Sequence, residues 1–179
     1  MRILLVLLMM FPGFAFAAGG GGTTFTSPPA TTKTTKTCKG VKVWDEKAKK
    51  CVAPKESSLD QDMLMQAVRE LAYAGRIEDA QGVLRVMQDQ NSDMVLTYWG
   101  FTSRKLGKGD LARSYYNRAI ANNPDNILAR SYMGQGFVSE GRIEEATQQW
   151  SEIKARGGEG TWAEASLRIA IRDGNTFDY

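Results

Sequence analysis

Apolar positions recur at helical spacing through most of the second two thirds of the chain. Met63, Leu64, Ala67, Val68 and Leu71 fall on one stripe, and Ile77, Ala80, Leu84 and Met87 on a second. Gly75 separates them, as a helix-ending glycine does. Further helices are predicted near 93–106, 110–122, 126–139, 142–155 and 161–173. Ser58, with Gln61 three residues on, reads as the capping box of the first of them. Pro124 and the preceding Asn122-Asn123 mark one helix end, and Gly157, Gly158 and Gly160 another.

The helical pattern is also periodic at a longer scale. Gly100, Ala112, Tyr116 and Ala119 recur 34 residues later as Gly134, Ala146, Trp150 and Ile153, and Gly107 recurs as Gly141. An earlier copy matches at a step of 32, with Gly75, Ala80, Leu84 and Met87 ahead of Gly107, Ala112, Tyr116 and Ala119. A fixed period of this size signals stacked two-helix units, since one such hairpin cannot bury its apolar face alone. The glycines are expected to let the second helix of the same hairpin approach. Ala112 and Ala146 face them, and Tyr116 and Trp150 fill the space beside. The expected units span about 61–92, 93–126 and 127–160, with 161–173 as a capping half-repeat and 174–179 as a fraying tail.

The pattern changes ahead of residue 58. Residues 1–17 read as a secretory signal peptide: Arg2, an apolar run from Ile3 to Phe16, and Ala15 and Ala17 as small residues at the cleavage site. The run is too short to span a membrane comfortably, and no second one follows. Residues 18–37 are rich in Gly, Thr, Pro and Lys and predict a disordered linker. Residues 38–52, CKGVKVWDEKAKKCV, alternate around a turn-forming DEKA and predict a small hairpin. In an exported chain whose two cysteines are Cys38 and Cys51, a disulfide is expected. Closing a loop with twelve residues between the cysteines contributes roughly 3 kcal/mol in the chain-entropy account. Residues 53–57 read as a short linker.

Composition narrows the chemistry. The chain has no histidine, which removes the commonest general base, the usual zinc ligand and the usual hydrolase triads. No catalytic residue, metal site or cofactor motif is predicted. Glu144 and Glu145 are adjacent at a helix start, where negative charge is favourable, and adjacent carboxylates do not face across a cleft. The net charge of +3 conceals an asymmetry. Residues 18–55 hold eight lysines against Asp45 and Glu46, whereas residues 56–179 hold 14 basic and 18 acidic residues. An acidic body in an exported chain argues against nucleic acid as partner. The basic arm and Trp44 supply the rival expectation, a cell-wall or polysaccharide-binding protein with weak contact to anionic envelope polymers.

The repeat itself resembles the tetratricopeptide family. Trp99-Gly100, Ala112, Tyr116, Ala119 and Pro124 carry the likeness in the second copy. In the third copy Ile153 and Gly158 replace the second small residue and the proline. In the first, Ala67-Val68 replaces the apolar-glycine pair. The resemblance implies an all-α fold, a right-handed α-solenoid of three helical hairpins plus a capping helix. It implies a groove lined by Met65, Arg69, Tyr73, Thr97, Phe101, Arg104, Lys105, Ser131, Gln135 and Val138, where a protein or peptide partner is held without catalysis. The residues with which some members clamp a terminal carboxylate are not found at the matching positions. The whole layout is similar to exported repeat proteins of Gram-negative bacteria, which implies a periplasmic or secreted location. Oligomeric state and partner identity are not encoded in any motif.

Overall fold

A computed structural model describes residues 28–55 and 59–177. The expected signal peptide, the linker up to residue 27, the Ser58 cap and the last two residues lie outside that range. The described chain is mostly helical. A short helix α1 (Lys33–Thr37) precedes strands β1 (Val43–Asp45) and β2 (Lys50–Val52). Then come α2 (Gln61–Tyr73), α3 (Ile77–Leu84), α4 (Asp93–Lys105), α5 (Gly109–Asn122), α6 (Ile127–Ser139), α7 (Ile143–Ala155) and α8 (Trp162–Asp173).

The larger helices are built in pairs by the same local chemistry. Each first helix begins with a side-chain cap: Asp60 on Met63 N, Ser92 on Val95 N, Asn126 on Ala129 N and Thr161 on Glu164 N. Asp60, not Ser58, therefore supplies the first cap. The first helices of the three pairs end at Gly75, Gly107 and Gly141, with φ of +74°, +74° and +73°. A side chain strains this left-handed backbone, which explains glycine at the same place in each pair. The next N–H then reaches back across the turn: Arg76 to Leu71 O, Lys108 to Ser103 O and Arg142 to Phe137 O, each at 2.9 Å.

Pairs α2–α3, α4–α5 and α6–α7 pack internally, and each second helix also meets the following first helix. The first helices touch one another as well, α2 with α4, α4 with α6 and α6 with α8. One continuous apolar core runs through them from Leu64 to Ala170. Polar side chains tie successive pairs together. Asp93 accepts from Asn123 and Asn126 at 2.7 and 2.9 Å, and Pro124 O accepts from Arg130 and Arg156 at 3.0 and 2.7 Å.

Gly100 and Gly134 occupy equivalent positions but serve different neighbours. A Cβ on Gly100 would enter the ring of Tyr116, on the second helix of its own pair as expected. A Cβ on Gly134 would meet Leu167 of α8 at 2.7 Å, not Trp150. The side chain nearest Gly134 thus comes from the capping helix. Trp150 turns its indole N–H to the buried Glu164 carboxylate instead, at 2.7 Å.

Ahead of α2, strands β1 and β2 pair antiparallel with Val43 opposite Val52 and Trp44 opposite Cys51. The Cys38–Cys51 disulfide closes this hairpin, with Cα atoms 5.6 Å apart. Asp45 is buried and accepts from Lys47 N and Ala48 N, which shapes the turn.

The segment expected to be a disordered linker departs from that reading over its last residues. Thr32 caps α1, and Glu70 on α2 accepts from the backbone N–H and the hydroxyl of both Thr32 and Thr35. A buried carboxylate on the first pair thus orders a sequence too polar to order itself. Arg76 fixes the disulfide loop to the same pair, donating to Cys38 O and Gly40 O at 2.8 Å each and to Asp79. No helix among the described residues is long and apolar enough to cross a membrane.

Candidate functional site

The side made by the first helices is where the expected groove residues lie. Eight of the ten are buried: Met65, Arg69, Tyr73, Thr97, Phe101, Ser131, Gln135 and Val138. Arg104 and Lys105 are half-buried. The expectation that these side chains form an open lining is corrected accordingly. The direct contacts α2–α4, α4–α6 and α6–α8 close over most of them.

An aromatic cluster accounts for the middle of this face. Phe101 is fully buried, stacked on Tyr73 at 5.7 Å between ring centres and tilted against Tyr98 and Tyr132 at 6.1 and 4.8 Å. The polar ends of the tyrosines are satisfied within the cluster. Tyr73 and Tyr132 share a hydrogen bond between their hydroxyls, and Arg69 Nε donates to Tyr98 at 3.2 Å. Burial pushes the Tyr98 and Tyr132 phenols above their ordinary range, strongly so for Tyr132. These rings join three helix pairs through one buried contact and are not available as anchors. Arg69 is an internal donor to Tyr98 and to Gln66, not a free cation for a partner.

Two polar residues of α6, Ser131 and Gln135, turn toward α8. Ser131 Oγ donates to Ala163 O at 2.6 Å and lies 3.3 Å from Ser166 Oγ. Gln135 turns its amide nitrogen toward both serines at 3.4 Å, which leaves its amide oxygen for another donor. Thr97 donates to Asp93 O and accepts from Asn126. Val138 is buried in the same core.

Two places on this face remain accessible. At the α2 end an apolar cavity of about 440 Å³ is lined by Met65, Met87 and Met94, with Asp62, Asp89 and Gln66 among its polar wall. Thioether side chains adapt to irregular apolar partners, so this is a receptive surface. At the α8 end, Lys105 and Trp162 are half-buried beside Phe177 of the tail. The tail was expected to fray, yet Phe177 is held by Gln135, Lys105 and Trp162. The sequence signal for this is an aromatic residue, Phe177, in a short terminus that also holds Tyr179.

Arg104 sits between Phe101, Tyr116 and Gly136. Its Nε and Nη2 are buried and find no hydrogen-bond partner among the described residues. Burial pushes the Tyr116 phenol up to about 12, and the neighbouring guanidinium offsets only part of that. Trp44, the centre of the rival expectation, is half-buried with Lys33 Nζ 4.5 Å over its ring, so that face is already covered. No group of three metal-ligating side chains occurs among the described residues.

Compared with known proteins, the chain matches no family model, no curated protein and no solved structure.

Proposed function

We propose that this chain is an exported, non-enzymatic interaction module, a tetratricopeptide-type solenoid that holds a segment of a protein partner on the face of α2, α4, α6 and α8. The observation that carries the reading is the side-by-side contact of those four helices, which presents one wall across successive repeats. The recurring glycine turns and N-caps support equivalence of the repeats. The disulfide supports folding in an oxidising compartment, and the expected signal peptide directs the chain to the bacterial envelope or beyond it.

Burial of the expected groove residues moves the docking surface within that wall. The partner engages the methionine-lined cavity at one end and the Lys105–Trp162 region at the other, while the tyrosine cluster between them keeps the repeats in register. Affinity capture from envelope extract tests this. A chain carrying Gln66→Glu and Lys105→Glu loses the partner retained by the intact chain, whereas Gln148→Glu, on the exposed side of α7, retains it. Equal capture by all three places the partner elsewhere and overturns the assignment.

A further inference from the structure

The tail after α8 behaves as a ligand. Gly174, at φ +71°, ends the helix and turns the chain. Side chains of three helices then meet a single residue. Phe177 N donates to Gln135 Oε1 of α6 at 3.3 Å, and Lys105 Nζ of α4 donates to Phe177 O at 3.1 Å. Trp162 of α8 meets the Phe177 ring edge to face, with centres 5.3 Å apart.

Each contact reads something different. Gln135 and Lys105 engage the main-chain N–H and C=O, which any residue but proline supplies. Trp162 reads the side chain and favours an aromatic ring. The receptor is prepared for this. Gln135 is fully buried, and its nitrogen faces the Ser131 and Ser166 hydroxyls, so its oxygen is aimed before any ligand arrives. A backbone-reading pair beside an aromatic wall is the chemistry of extended-segment recognition.

We propose that the Lys105–Gln135–Trp162 surface is a receptor for an extended segment of a partner protein that carries an aromatic side chain, and that Phe177 of the tail is its resting occupant. This rests on the reading of the first-helix face as the docking face and specifies what docks at its α8 end. A tethered tail has the advantage of high local concentration, so a partner segment displaces it by adding contacts beyond the aromatic residue. A tail docked about nine-tenths of the time lowers the apparent affinity for a competing segment about tenfold.

Fluorescence anisotropy with a labelled peptide Asn-Thr-Phe-Asp-Tyr, the sequence of residues 175–179, tests the competition without any cellular partner. The intact chain is compared with Phe177→Ala, which removes the ring from Trp162, weakens the hold on the tail and lies outside every helix. The peptide binds Phe177→Ala at least about tenfold more tightly than the intact chain, and a peptide with alanine in place of phenylalanine binds neither. Equal binding to the two proteins, no binding to Phe177→Ala, or equal binding of the alanine peptide overturns the proposal. A concentration-dependent dimer of the intact chain, lost in Phe177→Ala, assigns the surface to the tail of a second copy and overturns it likewise. None of these negative results bears on capture of a partner at the methionine-lined end, which the variants of the preceding section test separately.

Discussion

Thr32 places its backbone N–H on one oxygen of the Glu70 carboxylate and its hydroxyl on the other, at 2.5 and 2.7 Å. Thr35 repeats the arrangement on the first of these oxygens. Four donors from a short threonine-rich stretch therefore converge on one buried acid of α2, which anchors α1 to the first pair. Charge-assisted bonds of this kind are stronger than neutral ones. Glu70→Ala is expected to cost about 1–3 kcal/mol and to release α1 without unfolding the later pairs. Hydrogen exchange checks it: the Thr35 amide loses protection, while amides of α4 to α7 do not.

The two equivalent glycines make a sharper test of packing. At Gly100 an added Cβ runs into the aromatic ring of Tyr116, which is fully buried between α4 and α5. At Gly134 it meets the branched end of Leu167, which has rotamers to move through. Gly100→Ala is expected to destabilise by about 1–3 kcal/mol, and Gly134→Ala by less. Denaturant midpoints of the two variants, measured side by side, decide it; the reverse order contradicts the packing described.

Alkaline pH reports on the buried phenols. The Tyr116 phenol stands near 12 in the folded chain and returns to its ordinary 10.0 on unfolding. Its pKa is raised by folding, so the stabilisation it gives is complete below pH 10 and is lost as pH rises toward 12. Tyr98 and Tyr132 act with the same sign. The unfolding midpoint therefore falls through this window, and Tyr116→Phe flattens the fall. A variant with the slope of the intact chain contradicts the burial argument for this residue.

The helices were legible because their signals are local. Apolar spacing at 3.6 residues and a glycine after each first helix lie within one or two turns of the element they define, whereas the cap expected at Ser58 is supplied by Asp60. The disulfide-closed hairpin was legible for the same reason. The order in residues 32–37 was not, because its cause, Glu70, lies 38 residues away from Thr32 in sequence. Which helices carry the ten expected groove residues was legible, and their burial was not. Phe101 and Tyr73 stand on the first helices as expected, but their exposure depends on how closely α2, α4 and α6 approach, which no single repeat encodes. Gly134 illustrates the same limit: its spacing predicts contact with Trp150 of α7, and the side chain nearest it is Leu167 of α8. Phe177 was read as part of a fraying end because its partners come from three separate helices.

The central claim is that the first-helix face is where a partner protein sits. Site-specific photocrosslinking in cells tests it most directly, with the reactive residue placed singly at Gln66 beside the methionine-lined cavity, at Lys105 near the tail, and at the exposed Gln148 of α7. The account predicts one adduct of the same mass from Gln66 and Lys105 and none from Gln148. Adducts from Gln148 alone, or no adduct from either first-helix position, would contradict it.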